Sequence, residues 1–214
     1  MKTVIFDMDG IIFDSERATY ECWKELSVKY GFENLDIPYM KCIGSNAQKA
    51  KKIFLDYYGN DFPFDEYNSE KSRNYHSRYD NGNLPEKKGI RELLSYLREN
   101  GFKTAVASST RVAVVEKQIA DAGLDKFFDR IVGGDMISKS KPEPDIFIEA
   151  DKGFGSPAFV IEDSYNGIRA AKAGGMTAIM VPDMLPANDE MKELADYILN
   201  DLLEVKELFV KLGL

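Results

Sequence analysis

Val4-Ile5-Phe6-Asp7-Met8-Asp9-Gly10 is the stretch on which the fold turns. A short apolar, β-branched run reads as a strand, and it meets acid at once. In an extended chain residues two apart share a face, so Asp7 and Asp9 are expected to project together past the strand end, and Gly10 lets the chain turn sharply away. Two carboxylates at one place repel unless a cation or a shared proton relieves them. A hard divalent cation such as Mg²⁺ suits them, because it prefers oxygen ligands and is held by one or two carboxylates. A strand-ending Asp also caps turns, so this pattern alone leaves both readings open.

Downstream, similar short runs alternate with amphipathic segments, the pattern of a parallel sheet covered by helices on both faces. The runs are Thr104 to Ala107, Arg130 to Val132, Ala158 to Ile161, Ala178 to Val181 and Tyr197 to Leu199. Between them, Ile90-Leu93-Leu94-Leu97 and Val112-Val115-Ile119 have the apolar spacing of crossover helices, ending at Gly101 and Gly123. The interval from Ser15 to Asn83 breaks the rhythm. It shows helix patterns only: Ala18-Cys22-Leu26 with Trp23 and Tyr30, then Ala50-Ile53-Phe54-Tyr57, then Tyr67 to Tyr79, with Ser15 and Ser45 as N-caps. The expected organisation is an α/β core of residues 1–14 and 84–214 with an α-helical module, 15–83, inserted after the first strand. Its crossings carry Gly10, Gly82 and Pro85, suitable for paired linkers.

The other strand ends also carry chemistry. Val106-Ala107 leads into Ser108-Ser109-Thr110-Arg111, where a hydroxyl and the N–H groups opening a helix can hold phosphate oxygens, or simply cap that helix. Ser138 to Asp145 contains Lys141 held extended by Pro142, aimed inward or solvated. Phe159-Val160-Ile161 ends in Glu162-Asp163-Ser164, acidic groups that could equally serve a helix N-terminus. All four features fall at one edge of one sheet, the carboxyl edge where open parallel sheets bind ligands. Nucleophile, acid/base, phosphate cradle and metal ligand together describe phosphoryl transfer.

Composition limits the partners. The 214 residues suffice for one α/β domain plus a smaller module, and 44% hydrophobic content can fill its core. A net charge of −8 argues against nucleic acid and anionic lipid, which are bound by clustered Lys and Arg. The N-terminal apolar burst is too short for a signal peptide or a membrane span, and no obligate protein partner is indicated. Cys22 and Cys42 lack metal or disulfide spacing and fit a reducing compartment, so a cytoplasmic location is expected. The single histidine, His76, cannot supply the serine-hydrolase, zinc-peptidase or deaminase chemistries that depend on histidine.

Val4-Ile5-Phe6-Asp7-Met8-Asp9-Gly10, Ala107-Ser108-Ser109, Ser140-Lys141-Pro142-Glu143-Pro144-Asp145 and Ile161-Glu162-Asp163-Ser164 resemble, in order, the four motifs of the haloacid dehalogenase superfamily. The branch most similar contains β-phosphoglucomutase and small sugar-phosphate or phosphoglycolate phosphatases, whose Rossmann-like core carries an α-helical cap. The resemblance implies a phosphatase acting on a small phosphorylated metabolite, a sugar or polyol phosphate. It implies Asp7 as nucleophile, forming an aspartyl phosphate, and Asp9 as acid and base. Ser108, Ser109 and Lys141 would hold the phosphoryl group. Mg²⁺ would be held by Asp7, Asp163 and the Asp9 backbone carbonyl, with Glu162 supporting or ligating. True dehalogenases of the superfamily lack the equivalent of Asp9. Gly44, Ser45, Asn46 and Lys71 are the expected cap contacts to substrate.

The chain departs from the phosphomutase pattern where a mutase would hold its distal phosphate: the cap His and Arg of that pattern align with uncharged Thr19 and Asn46. Phosphatase is therefore the expectation and mutase the alternative, with Lys71 or Arg73 as candidate anion holders. A phospho-receiver domain also joins acidic groups, a hydroxyl and a Lys, but it has no helical insert and places its accepting Asp on a later strand. No GxGxxG follows a strand, which disfavours nicotinamide chemistry.

Overall fold

The computed structural model describes residues 2–43, 47–154 and 158–214. The first strand, β1 (Thr3–Phe6), is buried along its whole length, which explains its unbroken apolar run. After it come four helices, α1 (Ser15–Tyr30), α2 (Asp36–Cys42), α3 (Ala47–Tyr58) and α4 (Phe64–Tyr79). Helix and strand then alternate: α5 (Ile90–Glu99), β2 (Lys103–Ser108), α6 (Val112–Asp121), β3 (Arg130–Gly133), α7 (Asp145–Asp151), β4 (Ala158–Glu162), α8 (Tyr165–Ala173), β5 (Thr177–Met180), α9 (Asp189–Leu194), β6 (Tyr197–Ile198) and α10 (Leu202–Lys211).

The strands form one parallel sheet in the order β3-β2-β1-β4-β5-β6. The fold is α/β and Rossmann-like. The order in which successive strands are added reverses at β1, whose neighbours are β2 and β4, so a crevice opens at its carboxyl end. Side chains alternate across the sheet: Val4 and Phe6 enter one apolar cluster with α5, α6 and α10, and Ile5 enters a second with α7, α8 and α9.

The insert has an apolar centre of its own. Trp23, Leu26, Leu35, Tyr39, Phe54 and Phe64 are buried together, with the Trp23 and Phe54 rings 4.8 Å apart. Met184, from the loop after β5, packs against this cluster. The two linkers are tied to each other: Asp14 N–H donates to Pro85 O at 2.8 Å, and Lys87 N–H to Ile12 O at 2.9 Å.

Local expectations fail in three places. Ser15 lies inside α1 rather than capping it, because its hydroxyl donates to Asp9 Oδ1 at 2.7 Å. Helix α2 has no long apolar period to reveal it, and α4 starts at Phe64, three residues before the tyrosine pattern. Ser45 lies outside the described residues.

Trp23→Ala is expected to cost about 3–5 kcal/mol through the cavity it leaves. Hydrogen exchange should quicken in α1–α4 well before β1 and β4. Equal acceleration of the central strands would show that both clusters melt as one.

Candidate active site

Alternation along β1 sends Asp7 to the face of Ile5, and alternation along β4 sends Glu162 to the face of Val160. Helix α7 packs on that face, and Lys141 lies in the loop just before it. The three side chains therefore meet. Lys141 Nζ donates to Asp7 Oδ1 at 2.5 Å, to Glu162 Oε1 at 2.6 Å and to Ala107 O at 3.2 Å, which uses its three protons. Its ammonium also lies 4.8 Å from the centroid of the buried Phe147 ring. The Lys141–Pro142 peptide is cis.

Glu162 is fixed from its other side by the Ser164 N–H, at 2.8 Å from Oε2. The first turn of α8 can approach so closely because residue 167 is glycine: a Cβ there would sit 1.8 Å from Glu162 Oε1. Ser164 Oγ caps α8 by accepting from Gly167 N–H at 3.0 Å.

Asp7, Glu162 and Asp163 each offer a carboxylate oxygen within 4.8 Å of the others. Burial pushes the Asp7 carboxyl up to about 8; Lys141 pulls it down, and Glu162 and Asp9 add to the rise. Asp163 is raised well above the ordinary carboxylate value, by burial first and then by Glu162 and Asp7. Burial works against the Lys141 charge, but its two carboxylates outweigh that and hold it above the ordinary lysine value. Three carboxylates thus face one ammonium, an imbalance that a hard cation would relieve. Gly10 leaves the space open: with φ of +80°, it lies where a Cβ would come 2.4 Å from Asp163 Oδ2. The donor set and the room beside it fit a divalent cation.

Asp9 does not join this cluster. The strand ends at Phe6, the chain bends at Met8, and the Asp9 carboxylate instead accepts from Ser15 Oγ at 2.7 Å and Thr110 Oγ1 at 3.3 Å. The expectation that Asp7 and Asp9 project as an extended pair gives way to this turn. Ser108 is buried and its Oγ accepts from Thr110 N–H at 3.1 Å, while Ser109 is exposed. The N–H of Val112, opening α6, is already taken by Asp135 Oδ1 at 2.8 Å, so that amide is not free for a phosphate. Lys71 and Thr19 are partly buried in the insert, Arg73 and His76 are exposed, and Gly44, Ser45 and Asn46 lie outside the described residues.

The family model described as haloacid dehalogenase-like hydrolase matches residues 4–181. The chain belongs to that family. It is 33% identical over 208 residues to the bifunctional riboflavin kinase/FMN phosphatase of Arabidopsis thaliana, which covers 95% of this chain but 54% of that relative, so the chain spans about half its length. The phosphorylated carbohydrates phosphatase of Thermotoga maritima is 27% identical over 186 residues, 84% of each chain. The crystal structure of CbbY from Rhodobacter sphaeroides in complex with phosphate superposes with a TM-score of 0.73 at 26% identity, covering 96% of both chains. This haloacid dehalogenase-like hydrolase thus keeps company with proteins named as phosphatases, on the phosphoglucomutase-like side of the family.

Serine 15 and Thr110 were legible only as a cap and a turn residue; their hydroxyls act across the linker and the β2 loop, which no local pattern shows. Glu16 and Asp183 carried no signal beyond their acidity.

Removing Lys141 leaves two buried carboxylates without their counter-charge. Lys141→Met is expected to lower stability by about 3–5 kcal/mol in urea titrations with EDTA present. Adding Glu162→Gln to that variant should restore part of the loss, and purely additive losses would show that the pair is not coupled through Lys141.

Proposed function

We propose that this chain is a Mg²⁺-dependent phosphatase that moves a phosphoryl group from a sugar or polyol phosphate to Asp7 and then to water. The observation that carries the reading is the Lys141 ammonium held between Asp7 and Glu162, with Asp163 beside them at the carboxyl end of β1. In the first step an Asp7 carboxylate oxygen attacks phosphorus. The P–O bond to the metabolite breaks, and its oxygen takes a proton from Asp9. In the second step water attacks the aspartyl phosphate and gives its proton to Asp9, the P–O bond to Asp7 breaks, and inorganic phosphate leaves.

Lys141 orients Asp7 and offsets charge on the incoming phosphate. The Ser108 oxygen is pinned by the Thr110 N–H, so its own proton is free to reach a phosphoryl oxygen. Asp7, Asp163 and the Asp9 carbonyl would hold Mg²⁺, with Glu162 supporting, and bound there it would neutralise phosphoryl charge. Ser15 and Thr110 hold Asp9 between the insert and the β2 loop.

Residues 15–83 are proposed to act as a cap over this site, the paired linkers serving as its hinge. Thr19 brings no charge for a second phosphate, which favours hydrolysis over mutase chemistry. Among the described residues no helix is long and apolar enough to cross a membrane. The free thiols of Cys22 and Cys42 suit the reducing cytoplasm in which we place the enzyme.

Phosphate release from a panel of sugar and polyol monophosphates should appear with Mg²⁺ and vanish in EDTA; full activity in chelator would contradict the ligand assignment. Asp7→Asn should abolish turnover. Asp9→Asn should slow it by about 10²- to 10⁴-fold, with hydrolysis of the phosphoenzyme slowed as well. Asp163→Ala should raise the Mg²⁺ requirement, and an unchanged requirement would move that ligand role elsewhere.

A further inference from the structure

The part of a substrate that is not transferred must lie beyond Asp9, since Asp9 protonates the leaving oxygen. The insert surface there is built by three helices. Ser15 anchors the start of α1 to Asp9, and Glu16 follows it directly. Tyr39 of α2 supports Glu16: its hydroxyl donates to the Glu16 carbonyl at 2.9 Å and lies 3.5 Å from Oε2. On α4, Lys71, Tyr75 and Tyr79 form one row at four-residue spacing, and Tyr75 and Tyr79 pack on the core cluster. That row lies beside α1, whose Ala18 belongs to the same cluster, and toward the Asp9 end of the insert, since the Asp9 charge reaches Tyr75.

Lys71 on this row is partly buried and has no hydrogen bond or ion pair among the described residues. Asp183, in the loop after β5, has its Oδ2 buried without a hydrogen-bond partner, and its Oδ1 accepts from Lys87 at 2.6 Å. The charges sense one another. Glu16 is pushed up to about 7, by burial first and then by Asp9 and Asp183, with Tyr39 and Lys71 opposing the rise. Lys71 is lowered by burial, with Cys22 and Glu16 opposing. Tyr75 is raised by burial and then by Asp9.

A second phosphate or a carboxylate placed here would meet Asp9 and Glu16 against Lys71, because Asp183 is already paired with Lys87. A neutral tail of hydroxyl groups meets no such conflict: it can donate to Glu16 and accept from Lys71 and Tyr75. We propose that Glu16, set against Lys71, is a specificity-determining residue that admits monophosphates with a neutral, hydroxyl-bearing tail and rejects those whose tail carries a second anion. This rests on the phosphatase reading and adds to it a rule for the leaving group.

Glycerol 3-phosphate and 3-phosphoglycerate test the rule, since they differ at one tail carbon, hydroxymethyl against carboxylate. Each is titrated as an inhibitor of p-nitrophenyl phosphate hydrolysis by the full chain with Mg²⁺ at pH 8, above the Glu16 value. Their ratio of inhibition constants is read within each variant. Wild type should favour glycerol 3-phosphate by about 10-fold or more, and Glu16→Gln should shrink that preference by about 10-fold through tighter 3-phosphoglycerate binding. Lys71→Met in the Glu16→Gln background should restore it. If p-nitrophenyl phosphate is hydrolysed and the ratio is the same in wild type and Glu16→Gln, the filter is wrong and the phosphatase reading stands. If p-nitrophenyl phosphate and the metabolite panel both give no phosphate, the phosphatase reading fails and the filter with it.

Discussion

One ammonium makes the rest of this architecture tenable. Asp7 and Glu162 lie buried on adjacent strands, facing the same way because β1 and β4 are parallel and in register. Burial favours the protonated form of Asp7, and a protonated Asp7 is a poor nucleophile. Lys141 opposes that, pulling the Asp7 carboxyl down against its burial, and spends all its donors on the two carboxylates and the end of β2. The loop before α7, the ring of Phe147 beneath the ammonium and the glycine that lets α8 approach Glu162 all serve this contact.

The arrangement couples the site to the insert. Asp9 is held by a hydroxyl from each side, Ser15 at the start of α1 and Thr110 in the β2 loop, so a displaced insert would release one of its two partners. Lys87, in the second linker, bonds Asp183 at 2.6 Å and approaches Asp14 of the first linker at 3.6 Å. Met184, next to Asp183, enters the aromatic cluster of the insert. Linkers, β5 loop and insert are thus joined by one polar and one apolar contact on the same side of the cleft.

The sheet was legible because each strand is a short apolar run and each crossover helix has a clear amphipathic period; the observed ends shift by a residue or so, as with β2 extending to Lys103 and Ser108. The four strand-end motifs were legible for the same reason, since a parallel sheet gathers its carboxyl ends on one edge. What stayed hidden depends on contacts distant in sequence. Ser15 has the identity of an N-cap and the neighbour of an acid/base residue, and only the turn after β1 decides between them. Asp9 was misplaced because two-residue alternation holds only while the chain stays extended, and it bends at Met8. The amides opening α6 were expected to be open to phosphate, and one of them, the Val112 N–H, is taken by Asp135, twenty-three residues on. Lys141 had two readings in the sequence, and its position in the fold distinguishes them.

The central claim is that Asp7 carries the phosphoryl group. Its most direct test is peptide mass spectrometry on enzyme quenched in acid during turnover and reduced with borohydride, which converts an aspartyl phosphate to homoserine. Conversion at position 7, dependent on Mg²⁺ and substrate, is the predicted result. Sustained phosphate release with Asp7 unmodified, or with the label on another residue, would contradict the account.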